Sequence, residues 1–142
     1  MTDTRFAPYG ALVLRVALGI LFLAHAGLKF FVFTPAGTAQ FFASLGLPPA
    51  LGYLTIAAEL AGGVALILGV WTRTVSLALI PILLGAIVLV HGKAGFFFMN
   101  PNGGWEFIAF WISALVTQAL IGEGAFALRF HPIMRTREAL AR

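Results

Sequence analysis

The chain contains no cysteine, which excludes structural disulfides, thiolate metal sites, redox-active CxxC pairs and cysteine nucleophiles together. Any redox role must therefore use a bound cofactor or the thiols of a partner protein. Charge is scarce as well: 10% of the 142 residues are charged, against about 25% in a soluble domain. Also missing are an HExxH or ExxH pair, a phosphate-binding loop, a dinucleotide fingerprint and a Ser-His-Asp order. Zinc-peptidase, nucleotide-dependent and serine-hydrolase chemistries lose their usual footing. His25, His91, Glu59 and Glu106 are chemically able to ligate a metal, but without those paired spacings no metal site is expected.

Apolar residues fill the space that charge leaves. They make up 61% of the chain, and the mean hydropathy is +0.99. A membrane helix needs about 20 apolar residues to cross about 30 Å of hydrocarbon. Four stretches meet that requirement, near residues 10–33, 51–70, 74–92 and 105–122. The expected architecture is an all-α, antiparallel four-helix bundle, integral to the membrane, with residues 1–142 forming one domain. Val16 to Ala24 has the length of a signal-peptide core, and Ala24-His25-Ala26 imitates a cleavage site. The apolar run nevertheless continues through Lys29 to Phe33, which makes it a span.

Four alternating spans place both termini on one side. That side receives Arg5, Arg15, Arg73, Arg129, Arg135, Arg137 and Arg142, and the other receives Lys29 and Lys93. Positive charge marks the cytoplasmic side, so both termini are expected there. The pI of about 10.4 then reflects topology, with the basic tail 125–142 as a weak contact for anionic lipid, and nucleic acid is not an expected partner. Reporter fusions after Arg142 and within residues 93–103 should report opposite sides; a periplasmic C-terminus would overturn this topology.

Local signals divide the chain further. Thr34-Pro35 should stop the first helix, since proline disfavours a helical residue before it. Thr38 to Leu47 is too short to cross and reads as an interfacial helix, ended by Gly46 and Pro48-Pro49. Ala57, Ala61, Ala65 and Gly69, with Ala58 and Gly62 beside them, form a small-residue ridge that suits close helix packing. The short turn Trp71 to Thr74 makes the second and third spans antiparallel neighbours, and Pro81 should kink the third. In the loop Gly92 to Gly104, Phe96, Phe97, Phe98 and the following Trp105 suit the headgroup level.

Ionisable groups inside apolar runs are costly and are the first place to look for function. His25 and Lys29 are four residues apart and share a helix face. With the topology imposed, His25 lies about 9–12 Å, and Glu59 about 12–14 Å, below the outer ends of their helices at 1.5 Å per residue. His91 closes the third span at that side and Glu106 opens the fourth. His25, Lys29, Glu59, His91 and Glu106 are therefore candidates for one polar pocket in the outer half. Arg15, Arg73 and Glu123 form a second polar group at the cytoplasmic end. Each has a plainer reading: Lys29 can snorkel to the headgroups, His91 and Glu106 can cap helix ends, and Glu106 suits a helix N-terminus. Glu59 lies too deep to snorkel and should be paired with Lys29 or His25, or protonated.

Several segments taken in order resemble the DoxX family of small bacterial membrane proteins: LRVALGILFLAHAGLKF (14–30), FFASLGLP (41–48), AELAGGVALILGVWTR (58–73) and NGGWEF (102–107). The resemblance runs from about residue 12 to 122 and implies a four-helix bundle in the bacterial inner membrane. The family is similar to the small membrane subunit of thiosulfate:quinone oxidoreductases. That likeness implies an accessory or quinone-binding component of a membrane oxidoreductase system, not necessarily a catalytic one, with a redox protein as partner. It transfers no catalytic residues. A small transporter or lipid-binding protein with a polar outer pocket, and a structural anchor for a partner, are the alternatives; a homo-oligomer fits any of them.

Overall fold

The computed structural model describes residues 4–128. These form five α-helices, and no strand occurs among them. Helix α1 (Ala7–Gly27) carries Pro8 in its first turn, where a missing N–H costs nothing. It passes without a break into a π-helical turn, Leu28–Val32, which contains Lys29. Thr34, at φ +62°, then reverses the chain, and its Oγ1 accepts the Gly37 N–H at 3.1 Å. That cap, with Pro35 at the first position, starts α2 (Pro35–Ser44) three residues before the expected interfacial helix. Helix α2 buries Thr38 and Ala39 and leaves its other side open. It packs on the first turns of α3 (Ala50–Leu68), where a Cβ on Gly52 would meet the Ala39 Cα at 2.9 Å.

Helix α3 ends at Gly69 in the left-handed conformation, φ +74°, a common glycine C-cap. Helix α4 (Thr72–Ala86) contains Pro81 and continues through a π turn, Ile87–His91, and a short 3-10 turn, Gly92–Ala94. After the loop comes α5 (Glu106–Ile121). Three continuous segments are long and apolar enough to cross a membrane: Ala7–Val32, Ala50–Leu68 and Thr72–Ala94. The expected fourth span, 105–122, becomes the 16-residue α5, about 24 Å long at 1.5 Å per residue. Trp105 belongs to the loop, and Gly122 at φ +87° turns the chain away from the helix axis. The chain is thus a helical, multi-pass membrane protein.

Helix α1 packs on α3, α3 on α4, α4 on α5 and α5 on α1, with the α1–α3 seam the tightest and α1–α5 the loosest. Gly19 and Gly63 set the tight seam, for a Cβ on Gly19 would lie 2.7 Å from the Gly63 carbonyl oxygen. Close backbone approach between membrane helices depends on such small residues. The small-residue ridge meets α4 instead, at Gly62, where a Cβ would lie 2.8 Å from the Leu79 side chain. Ala57, Ala58 and Ala61 face outward, and Ala58, Ala61, Gly62 and Ala65 border a shallow apolar groove against Val75, Ala78 and Leu79 of α4. The true crossing point, Gly63, is one residue off the ridge. The core is Leu18, Phe22, Leu66, Leu79, Leu83, Ile108, Trp111 and Leu115. Large apolar side chains such as Phe31, Val88 and Phe110 are exposed on the outside, as a lipid-facing surface requires.

The start of α1, the α3–α4 turn and the end of α5 share one end of this arrangement, termed the near end. The π turn of α1, α2 and the 92–105 loop lie at the far end.

Candidate functional site

At the far end, Lys29 and Glu59 form an ion pair between α1 and α3. The Lys29 Nζ lies 2.8 Å from each carboxylate oxygen, so both oxygens accept from one ammonium. Glu59 is 3% exposed, while the lysine keeps about a fifth of its side chain open. Relative to the Gly19–Gly63 crossing, Glu59 is about 6 Å and Lys29 about 15 Å toward the far end by helical rise. The lysine spans this offset because helical side chains lean back toward the N-terminus. It turns inward to Glu59 rather than snorkelling out. The buried Thr38 hydroxyl donates to the Lys29 carbonyl at 3.2 Å, tying α2 to the π turn. Such π turns recur at functional sites.

The other three outer-half candidates lie elsewhere. His25, half-buried, has Nδ1 at 2.9 Å from the Leu21 carbonyl. A carbonyl can only accept, so Nδ1 carries a proton, and in the tautomer protonated there alone Nε2 is an acceptor. The His25 ring packs on Trp111 of α5, with centroids 4.8 Å apart. His91 Nδ1 donates to the Gly103 carbonyl at 2.9 Å, and Glu106 Oε1 accepts the Phe98 N–H at 2.8 Å. These two hold the loop together, with Asn100 Nδ2 donating to the Ala94 carbonyl at 2.7 Å. The five residues thus divide into an interhelix ion pair, a histidine–tryptophan contact and a loop clasp. Among the described residues, no three or more His, Asp or Glu side chains gather as a metal site.

At the near end Arg15 is fully buried. Its Nη1 donates to the Leu66 and Ile67 carbonyls at 3.2 and 2.9 Å, and Nη2 to the Ala125 carbonyl at 3.0 Å. It therefore closes the C-terminus of α3, where a cation also complements the helix dipole. Glu123 adds a favourable charge interaction with it. Arg73 lies against Gly122, where a Cβ would be 3.1 Å from Nη2. The segment after α5 crosses this end: Ala125 N–H donates to the Pro8 carbonyl and Leu128 N–H to that of Leu68, each at 2.9 Å. Most of the basic tail, residues 129–142, lies outside the described residues.

Sequence reasoning missed Thr38, Thr72, Ser76, Trp111 and Gln118, all buried. Gln118 Nε2 donates to the Gly122 carbonyl at 2.7 Å. The side-chain polar atoms Thr72 Oγ1, Ser76 Oγ, Trp111 Nε1, Gln118 Oε1 and Arg15 Nε are buried without a hydrogen-bond partner. The spacing held a signal for some of them, since Thr72 with Ser76, and Trp111 with Leu115 and Gln118, recur at three to four residues and share a face.

Membrane-buried charge, paired across two helices of a small helical membrane protein, defines the class. The chain belongs to the DoxX family, which matches residues 10–92. It is similar to the protein named "Putative oxidoreductase CatD" from Bacillus subtilis (strain 168), at 40% identity over 119 residues, covering 84% of each chain. No solved structure gives a significant match.

Proposed function

We propose that this DoxX-family protein serves a membrane oxidoreductase system in the bacterial inner membrane, binding a quinone or similar small molecule in the half that faces outward. Both termini then lie in the cytoplasm, the near end is the cytoplasmic end, α5 completes a fourth span, and a redox protein is the partner. The observation that carries this reading is the Lys29–Glu59 pair. A carboxylate 3% exposed, matched by a lysine still partly open, is a polar feature at membrane depth where apolar residues would pack at lower cost. The oxidoreductase name of the similar protein supports the redox part. Transport is less well supported, because Phe22, Leu66 and Leu115, all fully buried, lie between the polar groups of the two ends.

Mass spectrometry of the protein purified in mild detergent should find a quinone retained by the parent and lost from Lys29→Met. A preparation that holds no quinone, and does not bind added decylubiquinone, would remove this reading and leave a structural or transport role.

A further inference from the structure

The indole N–H of Trp111 is buried and has no acceptor. An indole nitrogen only donates, and such an orphan in a membrane interior calls for an explanation, an absent ligand being one. Its surroundings narrow what that ligand is. The Trp111 ring touches Phe22, His25 and Phe107 at centroid separations of 4.6, 4.8 and 5.8 Å. These rings suit a planar aromatic molecule, since tilted ring contacts are favourable. His25 commits Nδ1 to the Leu21 carbonyl and presents Nε2 as an acceptor when the ring is neutral. One unmet donor and one unmet acceptor on neighbouring side chains match a hydroxyl, which accepts through oxygen and donates through hydrogen. A carbonyl would satisfy the indole and leave the histidine unmet.

Access follows from the packing. His25 is on α1 and Trp111 on α5, the loosest of the adjacent helix seams. Phe107, whose ring packs on Trp111, is 38% exposed, so an apolar ring can approach this cluster from the lipid.

We propose that Trp111 and His25 form a subsite for the hydroxyl of a lipid-soluble aromatic compound, a quinol or phenol, entering between α1 and α5. The proposal rests on the reading of the outer half as a quinone site and assigns the reduced form to this place. Selection of the hydroquinone over the quinone comes from His25, to which only a hydroxyl can donate, while Trp111 supplies a donor that either oxygen accepts.

The test is binding of decylubiquinol, its dimethyl ether and decylubiquinone to the full chain in detergent. Three forms are compared: the parent, His25→Phe, which removes the acceptor, and Trp111→benzothienylalanine, which keeps the ring shape and replaces N–H with sulfur. The parent should prefer the hydroquinone to its ether by on the order of tenfold, about what one hydrogen bond contributes. His25→Phe should lose that preference, whereas the benzothienyl form should keep it, bind hydroquinone and ether both more weakly by about the same factor, and keep the parent's melting temperature. Equal binding of hydroquinone and ether by the parent, an unchanged preference in His25→Phe, or hydroquinone binding by the benzothienyl form as tight as the parent's, overturns the subsite while leaving a quinone site elsewhere in the outer half. A parent that binds none of the three overturns the subsite and the proposed function together.

Discussion

Lys29→Met is expected to lower the stability of the folded protein by on the order of 3–5 kcal/mol, because it strands the buried Glu59 carboxylate without a counter-charge. Both Glu59 oxygens accept from the one ammonium at 2.8 Å, so a single change removes both contacts. Glu59→Gln should cost less, since an amide keeps an acceptor for Lys29 and the lysine can turn toward solvent through its open side. The double variant Lys29→Met/Glu59→Leu should return close to parental stability, as replacing a whole buried pair with apolar residues often does. Thermal melts in detergent measure these steps, and quinone binding by the same samples gives them meaning. A double variant that is stable but no longer binds marks the pair as functional. Stability and binding returning together would make it a structural pair, and single variants that melt like the parent would show that neither role holds.

Arg15→Leu should produce a loss of similar size at the other end. The Ile67 and Ala125 carbonyls would each lose a guanidinium donor, and an orphaned buried acceptor costs about 1–3 kcal/mol. Leu66 would suffer less, because its carbonyl also receives the Gly69 N–H at 3.1 Å. Arg15→Lys should recover only part of the loss, since an ammonium cannot spread its donors over three carbonyls as the planar fork does. The damage should also be local. Protease access to residues 122–128 should rise before the α1–α3 seam opens, because Ala125 is held by Arg15 and by Pro8. A variant that melts as the parent does and resists protease equally would show that Arg15 is not the clamp of this end.

Both sites were partly legible in the sequence. Depth alone identified Glu59 as a carboxylate needing a partner, because hydrocarbon penalises an unpaired charge wherever the chain goes. Choosing between Lys29 and His25 required the structure. His25 is nearer Glu59 by helical rise, yet its ring turns to α5 and Trp111, and the π turn with the backward lean of the lysine brings Nζ down to α3. Neither effect has a signature in residue spacing. His91 and Glu106 share the far end with Lys29, but their partners are loop backbone groups at Gly103 and Phe98, whose directions depend on turn geometry.

The all-helical class and the multi-pass membrane character followed from composition and from the length of the apolar runs, since in lipid every backbone polar group must be satisfied within its own segment. The break at Thr34-Pro35 was a local matter of dihedral angle, and local residues determine that, whereas the end of α3 at Gly69, read in the sequence as a ridge position, emerged only with its left-handed φ. Packing was different. The closest helix approach falls at Gly19–Gly63 instead of the alanine ridge, and Trp111, Thr72, Ser76 and Gln118 proved to be buried polar groups. Which face of a helix turns inward in a membrane is weakly specified by hydrophobicity, because lipid and core are equally apolar. Only contact between specific neighbouring helices decides it.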